Sequence, residues 1–191
     1  MLKQAISPES MKRFEDTAET FRKYGSKYKM DYLLMMAKGY QEPGLNQNAK
    51  SPVGAIGVMQ LVPATGKEMS VGDMTKQEPN IQAGIQYSDL LMEEYFGKQP
   101  MDDLNKVFFS FAAYNCGPGR VKQLRAEAAK KGLDPNVWTK NVEVIAAARI
   151  GGETVNYASN IYKYYVAYKL IAVQKEQPQK AKQSLEEKTA P

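Results

Sequence analysis

The residue of this chain best suited to proton transfer is a glutamate at the end of a helix. The stretch 41–65, QEPGLNQNAKSPVGAIGVMQLVPAT, sets Glu42 directly before Pro43 and Gly44. A loop rich in Asn, Ser, Pro and Gly follows from Leu45 to Gly57, and then the run GVMQ. Proline disfavours α geometry in the residue before it, so a helix arriving from about Asp31 stops at Glu42. The partial negative charge of a helix end disfavours a carboxylate anion there, and an apolar cleft wall raises the pKa further, toward the range a general acid needs. The same residue also reads as an ordinary solvated glutamate at a helix terminus, and periodicity does not separate the two readings.

Two absences remove whole classes of chemistry. The chain has no histidine, which excludes Ser-His-Asp and Cys-His catalysis and most zinc sites. Cys116 is its single cysteine, so neither an intrachain disulfide nor a Cys-rich metal site is possible. Carboxylates, tyrosines, hydroxyls and amides remain, and no metal or cofactor is expected. The net charge of +5 suits anionic partners such as cell-wall polymer, nucleic acid or anionic lipid. The basic residues form no stripe with interleaved aromatics, so nucleic acid is not the expected partner.

The elements that must position these groups are mainly helical. At 191 residues the chain is the size of one domain with one substantial core. Apolar residues recur mostly at helical spacing and strand-like alternation is scarce. Helices are expected over about Glu9 to Tyr24, Asp31 to Glu42, Ile81 to Phe96, Asp103 to Asn115, Arg120 to Lys131, Pro135 to Ile150 and Glu153 to Ile171, with short helical pieces from Val58 to Met69. In the fourth of these, Leu104, Val107, Phe108, Phe111, Ala112 and Asn115 form one stripe, so Asn115 reads either as a satisfied core amide or as a site residue. No apolar run approaches the roughly 20 residues of a membrane span. The N-terminus lacks the basic-then-apolar pattern of a secretory signal. After Val173 the sequence is polar and charged, and 173–191 is expected to be a disordered tail.

Three motifs in order resemble the soluble lytic transglycosylase (SLT) family, whose catalytic domain has a goose-type-lysozyme-like helical fold. The first is Glu42 followed by Ser51, Gly54, Ala55, Gly57, Val58, Met59 and Gln60, then Leu61, Val62, Pro63, Ala64 and Thr65. The second is Ala113, Tyr114, Asn115, Cys116, Gly117, Pro118, Gly119, Arg120 and Val121. The third is Glu153, Thr154 and Tyr157. Together they span roughly 30–170, and the resemblance implies a catalytic domain over 30–172, with 1–29 as a helical extension packed on it. The segment FEDTAETFRKYGSKYKMDYLLMMAKGYQE is most similar to the membrane-bound lytic murein transglycosylase F branch. Members of that branch carry a solute-binding-like domain ahead of the catalytic one. Here an excised catalytic domain or a stand-alone relative is expected, of bacterial, phage or secretion-system origin.

The resemblance implies an activity: cleavage of the β-1,4 bond between N-acetylmuramic acid and N-acetylglucosamine in peptidoglycan strands, in the periplasm or cell envelope. Glu42 would protonate the glycosidic oxygen and then act as base on the muramoyl 6-hydroxyl, leaving a 1,6-anhydromuramoyl end. A substrate whose own acetamido group stabilises the oxocarbenium-like centre needs only one carboxylate from the protein. Asp31, Glu68 and Asp73 lie outside the motifs and read as structural. Gln60, the Met59 backbone, Tyr114, Asn115 and Tyr157 are the implied substrate-binding groups, with no metal. Glu153 reads as an N-terminal helix charge. The tyrosines at 162, 164, 165 and 168 read as packing groups rather than sugar-stacking ones. One departure bears on activity: Pro43 stands where the family usually has serine. A muramidase-type hydrolase on the same fold and a weakened peptidoglycan-binding module are therefore the alternative expectations. Cys116, where alanine is common, reads as an inert thiol.

Overall fold

A buried helix that ends at Glu42 packs between the first and last helices of the chain. The computed structural model describes residues 7–42 and 44–189, with side chains described through 174, so Pro43 lies outside the described residues. In chain order the helices are α1 (Pro8–Lys27), α2 (Tyr32–Gln41), α3 (Pro63–Glu68), α4 (Gln77–Leu90), α5 (Asp103–Cys116), α6 (Pro118–Lys130), α7 (Glu143–Ile150) and α8 (Gly152–Thr189). A π-helical turn, Leu91–Phe96, continues α4, and a kinked segment, Trp138–Val142, precedes α7. There is no named strand among the described residues; antiparallel bridges pair Lys50 with Ile56 and Ile56 with Leu61.

Asp31 starts α2 by accepting hydrogen bonds from the N–H groups of Leu33 (2.9 Å) and Leu34 (3.4 Å), donors that an uncapped helix leaves without partners. Tyr165 donates to the same carboxylate at 2.7 Å and Lys169 pairs with it at 3.3 Å, which ties the start of α2 to α8. The next turns, Leu33 through Gly39, are buried on every side, as expected of a helix that is apolar all round apart from one residue, Lys38. α1 and α8 cover α2. Their shared core includes Phe14, Phe21, Tyr164 and Tyr168, with Tyr40 edge-on to Tyr164 at 4.8 Å and Phe14 edge-on to Tyr168 at 4.8 Å. These rings carry apolar area against one another, so Tyr164 and Tyr168 are core groups. Tyr162 packs on Phe108, and Trp138 is buried edge-on to Phe109.

Several element boundaries differ from the sequence expectation, each for a local reason. α1 runs on to Lys27 through Gly25, which is buried against Tyr32. The stretch before α3 is not helical: Ile56 and Leu61 exchange backbone hydrogen bonds of 3.0 and 3.3 Å, so 56–61 forms a tight loop. α6 begins at Pro118, because Gly117, with φ of 86°, ends α5, and proline needs no N–H at the first helical position. Only the later part of 135–150 is regular helix: Thr139 is extended, Lys140 has φ of 60°, and the Glu143 carboxylate caps the Lys140 N–H. The stripe on α5 is buried only in its middle. Residues 108–113 are buried right round the helix, whereas Leu104 and Asn115 are exposed at its ends. α8 continues as backbone helix to Thr189, through the polar stretch read as a tail; Gln, Lys, Glu and Ala there are strong helix formers.

Candidate active site around Glu42

Glu42 sits at the C-terminus of α2, its N–H donating to the Lys38 carbonyl at 3.1 Å. The chain reverses at once. Gly44 and Leu45, at φ of 65° and 60°, send their N–H groups back to the carbonyls of Tyr40 and Gly39. Arg13 of α1 reaches the Gly44 carbonyl at 3.0 Å and holds this reversal from the other side. The Glu42 carboxyl is thereby held against the helices rather than extended into solvent. Burial, the largest influence, pushes its pKa up from the ordinary carboxylate value; Lys38 and a hydrogen bond from Tyr157 pull the other way.

Tyr157 comes from α8, 115 residues away in sequence, and its hydroxyl donates to Glu42 Oε1 at 2.5 Å. Its ring is only 5 % exposed. Burial first, and then the neighbouring Glu42, push this phenol well above its usual value, so it stays a donor across the working range. Tyr114 approaches from α5, and its hydroxyl donates to the Met59 carbonyl at 2.8 Å. Burial first, then Glu42 and then Tyr87, raise its pKa well above normal.

Met59 is fixed from two sides. Its side chain is fully buried, and its N–H donates to Asn80 Oδ1 at 2.8 Å. The Asn80 amide donates in turn to the carbonyls of Ile56 (3.0 Å) and Met74 (3.3 Å), so one buried amide latches the 56–61 loop onto α4. Two glycines make that contact possible. A Cβ on Gly57, which has φ of +77°, would fall 2.4 Å from Asn80 Nδ2, and one on Gly84 would fall 2.4 Å from Met59 Cβ. Gln60, at φ of 45°, turns its amide NH₂ inward onto the carbonyls of Gly57 (3.0 Å) and Ala49 (3.3 Å). Asn115 is exposed, and its Oδ1 accepts from the buried Thr154 hydroxyl at 2.7 Å, which links the end of α5 to the start of α8.

The structure thus gathers Glu42, Tyr157, Tyr114 and the Met59 backbone into one cluster, with Gln60 in its loop and Asn115 at its edge. Glu153 is exposed in the first turn of α8. Asp31 caps α2, and Asp73 accepts from the Thr75 N–H (3.0 Å) and hydroxyl (2.6 Å), so both carboxylates serve the fold. Burial pushes the half-buried Cys116 thiol up, away from a reactive thiolate. No cluster of three or more metal-ligating side chains occurs among the described residues. Two residues of the cluster escaped sequence reasoning. Lys38 had a visible signal, a lone charge inside the run LLMMAKG one turn before Glu42. Asn80 had none, because its partners are backbone atoms more than five residues away.

Residues 19–137 match the family model described as the transglycosylase SLT domain, which covers the Glu42 loop and the Tyr114 motif. The chain belongs to this family. Among curated relatives, membrane-bound lytic murein transglycosylase F of Actinobacillus succinogenes is 32% identical over 157 residues, covering 75% of this chain and 32% of the relative. The protein of the same name from Shewanella halifaxensis is 30% identical over 190 residues, covering 89% of this chain and 39% of the relative. The chain therefore spans about a third of the length of these relatives. Among solved structures, the 70 kDa soluble lytic transglycosylase of Escherichia coli aligns with a TM-score of 0.64 and 26% identity, over 81% of this chain and 24% of that one. An inactive mutant of the lytic transglycosylase Slt from Pseudomonas aeruginosa aligns at 0.60 and 24% identity, over 78% of this chain and 23% of that one, a likeness of fold. The SLT domain here thus has the lysozyme-like helical fold of its family.

Proposed function

We propose that this SLT domain is the catalytic part of a peptidoglycan lytic transglycosylase, with Glu42 acting first as acid and then as base. The observation that carries the reading is the Glu42 carboxyl, which burial holds in the protonated form beyond the ordinary range and which the Tyr157 hydroxyl orients at 2.5 Å. Glu42 gives its proton to the glycosidic oxygen between N-acetylmuramic acid and N-acetylglucosamine as the bond to the anomeric carbon breaks. The substrate's acetamido group carries the positive centre. The Glu42 carboxylate then takes the proton of the muramoyl 6-hydroxyl, whose oxygen closes on the anomeric carbon. The product is a 1,6-anhydromuramoyl end.

Tyr157 keeps the carboxyl aimed, and the Tyr114 to Met59 bond holds the facing loop at a fixed distance. The exposed Asn115 and the remaining carbonyl of Gln60 are the groups proposed to meet sugar hydroxyls and acetamido groups. The place of action is the bacterial envelope, which fits relatives named as membrane-bound murein enzymes. No described helix is long and apolar enough to cross a membrane.

Digestion of purified sacculi followed by mass spectrometry of the released muropeptides tests this. Anhydro ends, lighter by one water than the products of a muramidase, are expected from the wild type, and none from Glu42→Gln. Reducing ends would make the domain a hydrolase. Binding to sacculi without release would make it a wall-binding module, and an active Glu42→Gln would remove Glu42 from the chemistry.

A further inference from the structure

Lys38 is the charged residue for which neither the fold nor the chemistry above gives a reason. It lies in the middle of α2, has no exposed surface, and its Nζ makes no hydrogen bond among the described residues. Instead the Nζ sits 2.9 Å from the centroid of the Tyr114 ring, the position of a cation on an aromatic face. It also lies one helical turn before Glu42, and side chains four residues apart share a helix face. A fully buried ammonium is expensive unless an anion and polar contacts compensate it. An alkyl side chain of the same length would fill this space at no such cost, so the amine itself calls for an explanation.

The groups that face Lys38 restrict what that explanation can be. Tyr114 comes from α5, and Tyr87 of α4 packs on it with ring centroids 5.2 Å apart. Tyr157 of α8 is bonded to Glu42. Burial raises the pKa of all three phenols, which therefore stay neutral through the working range. Glu42 is the acid among them that ionises there.

We propose that Lys38 is a positioning residue for the acid–base step: seated on the Tyr114 ring, it is the buried counter-charge to the carboxylate that forms when Glu42 gives up its proton. This rests on the proposed function for its chemical meaning, though not for its geometry. Burial pulls the Lys38 amine well below its usual value and Glu42 pulls it back up, while Lys38 in turn lowers Glu42. The two groups are coupled, so that ionisation of Glu42 and protonation of Lys38 favour each other. As the proton leaves Glu42 for the glycosidic oxygen, the growing negative charge and a proton on Lys38 stabilise each other, and in a water-poor wall that attraction is worth more than in solvent. The Tyr114 face holds that cation in place without a hydrogen bond that would draw it away.

The test reads the coupling from both ends. In selectively ¹⁵N-labelled protein, the Lys38 Nζ resonance is titrated in the wild type and in Glu42→Gln. The midpoint is expected to fall by about one pH unit in the variant, a tenfold change in proton affinity. Equal midpoints would overturn the proposal. In the second arm Lys38→Met removes the charge and keeps the length. The alkaline limb of sacculus digestion, which requires protonated Glu42, is expected to move to higher pH, and kcat to fall at least about tenfold with KM little changed. A uniform loss with an unmoved limb would reduce Lys38 to packing. Should Lys38→Met not fold, the resonance comparison, which keeps Lys38 in place, still decides. A moved midpoint together with an active Glu42→Gln would sink the assigned chemistry and leave the coupling standing.

Discussion

Replacing Asn80 by alanine should loosen the wall opposite Glu42 without touching a group that does chemistry, and the size of the effect follows from the bonds lost. Three hydrogen bonds end on this fully buried amide: from the Met59 N–H at 2.8 Å, to the Ile56 carbonyl at 3.0 Å, and to the Met74 carbonyl at 3.3 Å. At about 1 kcal/mol net for each, Asn80→Ala costs about 3 kcal/mol, and about 4 kcal/mol once the space left by the amide is included. For a chain of this size that is a fall in Tm on the order of 10 °C. Urea unfolding followed by far-UV circular dichroism measures it, with an unchanged m-value expected. Asn48→Ala serves as the control, since Asn48 is exposed, and it should stay within about 0.5 kcal/mol of wild type. Digestion of sacculi should fall in Asn80→Ala alone, because the freed 56–61 loop carries the carbonyl that receives the Tyr114 hydroxyl. An Asn80→Ala protein within about 1 kcal/mol of wild type, with the same m-value, would refute the latch, because buried polar groups cannot lose three partners at so small a cost.

Tyr157→Phe deletes the donor that favours the ionised form of Glu42, so the Glu42 pKa, already raised by burial, rises further. The alkaline limb of activity is expected at higher pH, and the rate down by about tenfold as the carboxyl loses its aim; an unmoved limb would show that the contact is not made in solution. Glu127 joins α6 to α7 through Arg149 at 2.8 Å and pairs with Lys131 at the end of its own helix at 3.0 Å, and these bonds hold its pKa down to about 2, below the ordinary 4.5. Because the folded value is the lower one, the contribution is present above pH 4.5 and is lost as pH falls toward about 2. Thermal melts of Glu127→Gln and wild type should therefore differ at neutral pH, converge across that window, and converge also in high salt, since the pair is exposed. A gap independent of pH would assign the effect to something other than charge.

How much of this was legible in the chain varies by element. The end of α2 could be placed at Glu42 because the signals are local: an apolar run of helical period and a Pro-Gly pair acting on the residue before it. The helical class and most helices were legible for the same reason. The stretches at 56–61 and 138–142 were not, because individual contacts between residues a few positions apart override helical preference there. A bridge from Ile56 to Leu61 shapes the first, and a Glu143 carboxylate capping Lys140 shapes the second. The sequence leaves Asn115 open between a core amide and a site residue, because periodicity reports which residues share a helix face, not where the helix emerges from the core.

For Glu42 the division is sharper. Residue type, spacing and the surviving motifs determine that a carboxylate ends a helix beside a glycine-rich loop, and no histidine or second cysteine competes with it. Its proton affinity is a different kind of property. It depends on how deeply the packing of α1, α5 and α8 buries the carboxyl, on a hydroxyl brought 115 residues along the chain, and on a lysine pressed against a ring from another helix. Burial, distance and dielectric exist only once the helices have packed, so they left no local trace in the order of residues.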